Sequence, residues 1–109
     1  MAEFQYGAIS RNCPVELVFG LVGQRWKART LFLLSRGPKR FNALAAELDG
    51  VSDKVMTTVL RDLVRDGFAE RRVTPTMPVQ VEYAITEEGL RLWQAMEPLR
   101  QWGLAHKRP

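Results

Sequence analysis

The sequence lacks the features that are typical of secreted, disulfide-linked and membrane-spanning proteins. A single cysteine among 109 residues excludes an internal disulfide and fits a reducing compartment. No apolar run approaches the roughly 18 residues that a bilayer-spanning helix needs. The first ten residues, MAEFQYGAIS, contain neither the basic nor the apolar region of a secretion signal. These absences predict a cytoplasmic protein.

Catalytic and metal-binding motifs are also lacking. The sequence has no glycine-rich phosphate loop, no paired-carboxylate motif and no zinc-ligand spacing. The only histidine, His106, lies close to the C-terminus, where a general base would be poorly held, and Cys13 gives it no metal-ligand set. We therefore expect neither an enzyme nor a bound cofactor or metal.

The composition is that of one globular domain spanning residues 1–109. Hydrophobic residues make up 46% and charged residues 26%, which is ordinary for a folded domain. The net charge is +4, and the stretch over residues 24–40 holds six cations and no acid. The six are Arg25, Lys27, Arg29, Arg36, Lys39 and Arg40. This segment favours a polyanion such as nucleic acid, although charge alone equally suits a solvated helix surface.

Hydrophobic periodicity and local stop signals predict three helices in the first half of the chain. The first begins at Pro14 and can close at Gly23. The second is apolar over much of its circumference, which predicts a buried central helix, and it ends at Gly37. The third is short, with Asn42 as a candidate N-cap and Gly50 as its stop.

The second half predicts a fourth helix, a hairpin and a last helix. Ser52 is well placed as the N-cap of the fourth helix, and Gly67 ends it. β-branched and aromatic residues then predict a hairpin over about residues 68–86, and Thr86 caps the final helix. A very short strand is also expected near residues 40–41. The predicted order is therefore α-α-α-α-β-β-α.

Two helices joined through a glycine-containing turn and followed directly by a hairpin are typical of a winged helix-turn-helix. We predict a mainly α fold with a small β-hairpin wing. The helix-turn-helix covers about residues 41–66, the wing about 68–86, and a C-terminal dimerisation helix about 87–105.

The outer side of the fourth helix has the short polar side chains that suit the DNA major groove, where threonine and arginine contact base edges. We predict that bases are read by Ser52, Lys54, Thr57, Thr58 and Arg61. Phosphate contacts are predicted for Arg29, Lys39, Arg40, Arg71 and Arg72. Three aspartates offset the local charge, so the helix taken alone fits an exposed scaffold surface slightly better. The ordered set of basic helix, turn, polar-faced helix and arginine-bearing hairpin favours DNA binding.

The sequence resembles the HxlR-type bacterial winged helix-turn-helix regulators, which are related to the MarR type. The resemblance rests on CPVELVFGLVGQRW, on GPKRFNALAAELDGVSDKVMTTVLRDLVRDGFAERR and on PVQVEYAITEEG, and it covers roughly residues 13–103. It implies a cytoplasmic transcriptional regulator that binds double-stranded DNA as a homodimer on a palindromic operator.

Three positions depart from the pattern of that family. Arg25 replaces the lysine that often precedes the tryptophan and keeps its charge. Thr58 stands where the family often has glutamine, so we expect a different base preference. Gln80 replaces the basic residue that usually precedes Val-Glu-Tyr, so we expect the wing to bind phosphate less well.

The last helix is too apolar to be covered by one small domain, which independently predicts a homodimer. Its apolar stripe is expected to form the interface through Leu92, Met96, Leu99 and Trp102. Pro98 is expected to kink or restart this helix. Three N-terminal residues are expected to join the same interface: Phe4, Tyr6 and Ile9. A two-fold dimer implies a pseudo-palindromic target.

Cys13 is a candidate redox-sensing residue. It directly precedes Pro14 at the start of a helix, and both the helix N-terminus and nearby Arg11 favour a thiolate. Some members of the resembled family sense electrophiles or oxidants through a cysteine at this place. The plainer interpretation is a small residue packed at the start of a helix.

Two alternative functions remain open from the residues. A winged helix can bind protein instead of DNA. The regulator can also respond to a small aromatic or aldehyde ligand held in the dimer cleft. Trp26, Trp93 and Trp102 could line such a pocket, although core and interface packing suits them better.

Overall fold

The computed structural model describes residues 13–107, which form five α-helices and one antiparallel hairpin. The elements are α1 (Pro14–Val22), α2 (Arg25–Leu34), α3 (Phe41–Glu47), α4 (Asp53–Arg65), β1 (Ala69–Thr74), β2 (Gln80–Ile85) and α5 (Glu87–Ala105). This is the predicted order, and the mainly helical fold with a two-stranded wing is confirmed.

Local sequence signals fix the ends of α4 and the start of α5. The Ser52 hydroxyl accepts from the Val55 N–H at 3.1 Å, as predicted for an N-cap. The Thr86 hydroxyl likewise accepts from the Gly89 N–H at 3.0 Å and donates to the Gly67 carbonyl at 2.6 Å. Thr86 therefore joins the end of α4 to the beginning of α5.

The turn between α3 and α4 depends on Gly50. Its φ of +89° lies in the left-handed region, which glycine adopts without the strain that a Cβ would bring. The predicted sharp turn is confirmed, and it places α4 directly after the short α3.

Three local predictions were wrong in detail. Asn42 is not a cap, because α3 already begins at Phe41. The short strand expected near residues 40–41 is only a one-residue bridge between Lys39 and Tyr83. The chain is extended at this bridge, and α3 begins after it. The expected restart of α5 at Pro98 is wrong, since the helix continues to Ala105, whereas the expected kink stays a prediction.

The core lies between α2, α3, α4 and the base of the wing. Helix α4 buries one side completely, and that side is covered by Leu31 and Leu34 of α2 and by Leu44 of α3. The buried α4 residues are Met56, Val59, Leu60 and Leu63. Val64 of the same helix is exposed. The packing fixes which side of α4 faces outward.

Helix α5 is only half covered. Leu92, Trp93 and Met96 in its first half pack against the core, whereas Leu99 is 58% and Trp102 61% exposed. None of the helices among residues 13–107 combines the length and the apolar character needed to cross a membrane.

Candidate nucleic-acid interface

Most of the predicted base-reading side chains lie on the outer side of α4. Ser52, Lys54, Thr57 and Arg61 are exposed. Thr58 is half-buried, and its hydroxyl donates to the Lys54 carbonyl at 3.1 Å. Positions three and four apart share one side of a helix, so Lys54, Thr57 and Arg61 form a single outward row.

A buried ion pair attaches α4 to α2. The Lys27 ammonium lies 3.3 Å from Asp62 Oδ2, with the Lys27 side chain 5% and the Asp62 side chain 14% exposed. The other Asp62 oxygen, Oδ1, lies 3.1 Å from Arg65. Lys27 therefore contributes nothing to a positive surface, which corrects its place in the basic segment of residues 24–40. Asp62 faces α2 rather than solvent.

The last turn of α4 is held by a second set of charges. Arg65 Nε donates to Asp66 Oδ1 at 3.2 Å. This hydrogen bond raises the pKa of Arg65 above its ordinary value, and the negative charges of Asp66 and Asp62 add to the effect. Arg65 thus lies at the C-terminal end of α4, four positions beyond Arg61, with its charge paired to two acids.

Two of the five predicted phosphate contacts already pair with acids. Lys39 Nζ lies 3.3 Å from Glu47 Oε2. Arg72 Nε donates to Glu70 Oε1 at 2.7 Å. A phosphate would have to compete with these carboxylates, so each cation offers less to DNA than its formal charge suggests.

The other three predicted phosphate contacts have no carboxylate partner among residues 13–107. Arg71 is exposed on β1. The guanidinium carbon of Arg29 lies 5.2 Å from the centre of the Trp26 ring, which holds it by a cation–π contact. Arg40 is exposed, and its Nη2 donates to the side-chain oxygen of Gln80.

The two adjacent arginines of the wing lie on opposite faces of the hairpin. Arg71 is paired across the ladder with Tyr83, and Arg72 with Glu82. Successive side chains of a strand alternate between its two faces, so a duplex lying on one face meets only one of these arginines.

The predicted dimer-interface residues divide into two groups. Leu92 and Met96 are half-buried against the core of their own chain, whereas Leu99 and Trp102 are exposed. The Trp102 ring stacks on His106 with centroids 3.9 Å apart. Phe4, Tyr6 and Ile9 lie outside the described residues.

Cys13 and two of the three tryptophans, Trp26 and Trp93, occupy packed positions. Cys13 is 7% exposed at the N-cap of α1. Trp26 and Trp93 pack against the core, and Trp93 contacts Phe32 with ring centroids 5.2 Å apart. A cavity of about 500 Å³ lies beside this aromatic pair, between α2 and α5.

Two features of the site have no local sequence signal and were missed. One is the Lys27–Asp62 pair, whose two residues lie on different helices far apart in the sequence. The other is the contact between Arg40 and Gln80, residues that lie 40 positions apart.

The sequence and the fold both match known proteins. Residues 21–109 match the HxlR-like helix-turn-helix family. The HTH-type transcriptional regulator YodB of Bacillus subtilis is 34% identical over 91 residues, covering 83% of this chain and 81% of that protein. A solved structure described as a MarR-family transcriptional regulator from Enterococcus faecalis V583 has a TM-score of 0.81 at 31% identity, covering 90% of this chain and 89% of that one. The redox regulator HypR in its oxidized form has a TM-score of 0.82 at 31% identity, covering 89% of this chain and 100% of that one.

Proposed function

This chain belongs to the HxlR-like helix-turn-helix family, and we propose that it acts as a homodimer that binds a pseudo-palindromic DNA operator. The family and the named relatives are transcriptional regulators. The chain is therefore a transcriptional regulator of the helix-turn-helix type rather than an enzyme, as the sequence predicted.

The observation that carries the DNA-binding proposal is the outward row on α4. Lys54, Thr57 and Arg61 are exposed on a helix whose opposite side is fully buried. In the major groove, threonine can donate, accept and offer a methyl group, while arginine can bind guanine through two hydrogen bonds. We propose that this row reads bases, while arginines beside it bind phosphate.

A titration of operator against random duplex tests this assignment. Arg61→Ala is expected to weaken binding to an operator selected from random sequences by about 1–3 kcal/mol, with a much smaller change on random duplex. Arg91→Ala is the matched control, because Arg91 is an exposed arginine on α5 that pairs with Glu87 and Glu88. Equal losses on both duplexes for Arg61→Ala would show that Arg61 does not read bases.

Salt dependence separates DNA binding from the alternative of a winged helix that binds only protein. DNA binding releases counterions, so the affinity must fall steeply as salt rises. If the wild-type protein bound no duplex at either low or moderate salt, the DNA-binding proposal would be wrong. A protein partner would then be favoured.

A second proposal concerns redox control through Cys13. HypR, which is similar over most of this chain, is a redox regulator. Cys13 is the N-cap residue of α1, and its side chain makes no capping hydrogen bond. We propose that oxidation of Cys13 changes operator affinity, since a sulfenic acid or mixed disulfide would not fit in its 7% exposed position without moving α1.

Cys13→Ser tests the redox proposal. The wild type is expected to change its operator affinity after treatment with hydrogen peroxide, and to recover it after reduction. The serine variant should bind equally before and after treatment. A serine variant that responds like the wild type would rule out Cys13 as the sensor.

A further inference from the structure

Arg40 and Gln80 form a contact between the helix-turn-helix and the wing. Arg40 is the residue before α3, and Gln80 is the first residue of β2. One terminal nitrogen of the Arg40 guanidinium donates to the amide oxygen of Gln80. Arg40 is exposed and Gln80 is half-buried, and the two are brought together across 40 positions of sequence.

The backbone accounts for this meeting. The Lys39 N–H donates to the Tyr83 carbonyl at 2.9 Å, and the Tyr83 N–H donates to the Lys39 carbonyl at 2.7 Å. Residue 39 thus lies antiparallel beside β2. Because side chains alternate along such a pair, Arg40 lies on the same face as Glu82 and Gln80.

The chemistry of the partner leaves Arg40 available to an anion. The amide oxygen of Gln80 carries no charge, so the guanidinium keeps its full positive charge and four of its five N–H donors. Lys39 and Arg72, by contrast, each lie against a carboxylate. A planar guanidinium held on one side is pre-organised to bind phosphate with two parallel hydrogen bonds.

Open space flanks the held guanidinium on two sides. A hollow of about 470 Å³ lies toward Thr74, Thr76 and Glu82. A smaller one, of about 240 Å³, lies toward Asn42 and Val79. The Glu82 carboxylate opposes an anion in the first hollow, whereas the described lining of the second contains no acid. A phosphate is therefore favoured on the Asn42 side.

We propose that Arg40 binds a DNA backbone phosphate at the junction of the helix-turn-helix and the wing, and that Gln80 is the residue that positions it. This inference rests on the proposed DNA binding and deepens it. The cation that contacts DNA at this junction is then Arg40, the residue before α3, and not a residue of strand β2.

The test measures affinity for a random-sequence duplex by fluorescence anisotropy at four salt concentrations. Arg40→Ala is expected to weaken binding about tenfold at low salt and to reduce the slope of log affinity against log salt by about 1, as loss of one phosphate contact requires. Gln80→Ala should give a smaller loss of about threefold. The double variant Arg40→Ala/Gln80→Ala should be no weaker than Arg40→Ala alone, because Gln80 acts through Arg40.

A charge swap and a matched control complete the experiment. Arg40→Ala/Gln80→Lys should recover most of the salt slope, since it returns a cation to the same junction. Arg72→Ala should change the slope by much less, because Glu70 already offsets that charge. If Arg40→Ala lowers the melting temperature, Arg40→Gln replaces it as the charge-removing variant.

The outcomes separate this inference from the function on which it rests. A wild-type protein without salt-dependent duplex binding overturns the DNA-binding proposal itself. A wild type that binds, together with an Arg40→Ala variant of unchanged affinity and slope, overturns only the Arg40 assignment. Losses for Arg40→Ala and Gln80→Ala that simply add would overturn the positioning role of Gln80.

Discussion

Two neighbouring threonines on α4 differ in what their hydroxyl groups are free to do. The Thr58 hydroxyl already donates its proton to the Lys54 carbonyl, so toward DNA it can only accept. Thr57 is fully exposed one position earlier. Among the described residues its hydroxyl takes part in no hydrogen bond, which leaves it free to donate and to accept.

This difference predicts unequal effects of two isosteric substitutions. Thr57→Val should weaken operator binding by about 1 kcal/mol, because a base contact is lost while a methyl group is kept. Thr58→Val should have less than half that effect, and each variant is the control for the other. Operator titrations at one salt concentration measure both. A larger loss for Thr58→Val would show that the helix enters the groove in a different rotation.

Gly89, in the first turn of α5, shows how close packing can depend on a missing side chain. A Cβ at this position would lie 2.1 Å from the backbone oxygen of Phe68 and 2.9 Å from Ile85 Cγ1. Gly103, in the same helix, would place its Cβ in open space. The two glycines are therefore a matched pair that differs in steric surroundings.

We predict that Gly89→Ala lowers the free energy of unfolding by at least about 2 kcal/mol, because backbone must move to admit the methyl group. Gly103→Ala should instead raise it slightly, by up to about 1 kcal/mol, through better helix propensity. Urea unfolding monitored by circular dichroism measures both changes. An unchanged stability for Gly89→Ala would mean that α5 can shift away from β1 without loss.

At the scale of whole elements, the orientation of α4 depends on charge as well as on its apolar side. Asp62 contacts Lys27 of α2 with one oxygen and Arg65 with the other. Removing Lys27 and removing Asp62 should therefore have unequal effects on stability. Without Lys27, Asp62 still has Arg65 beside it, whereas without Asp62 the lysine is left buried with no carboxylate among the described residues.

This asymmetry predicts the order of three variants. Asp62→Ala should destabilise the fold by about 3 kcal/mol, because it leaves an uncompensated buried charge, and Lys27→Met should be milder. The double variant Lys27→Met/Asp62→Leu should return close to wild-type stability, since apolar groups of similar volume often replace a buried pair without loss. Denaturant unfolding of the three proteins checks the order. A double variant as unstable as Asp62→Ala would mean that lost packing, not charge, explains the effect.

The sequence predicted those parts of the fold that depend on neighbouring residues. Ser52 and Thr86 cap the helices expected of them, and Gly50 makes the turn, because each acts within three or four positions. It did not predict the contacts of Lys27 or Gln80, since their partners lie far along the chain and no periodicity relates them. Asn42 was misplaced for the same reason, because the bridge from Lys39 to Tyr83 decides where α3 begins.

The whole molecule is more extended than one compact domain of its length. Its radius of gyration is 16.0 Å, against about 13 Å for a compact chain of roughly 100 residues, and its extents are 57 × 38 × 23 Å. Exposed apolar side chains lie on α1, on the wing and on the second half of α5, and the last group includes Leu99 and Trp102. Such an accumulation marks an interaction surface, which supports the proposed homodimer.

Placing a charge on the exposed end of α5 tests that dimer. Leu99→Glu should convert the protein to a monomer in sedimentation equilibrium, because a buried carboxylate without a partner opposes association. It should also weaken operator binding by about 100-fold or more, since two half-sites are then bound separately. Gln94→Glu is the matched control, as it adds the same charge at another exposed position of the same helix. A Leu99→Glu protein that remains dimeric and binds the operator normally would place the dimer interface elsewhere. Monomers that still bind the operator with full affinity would instead show that recognition by α4 needs no second copy.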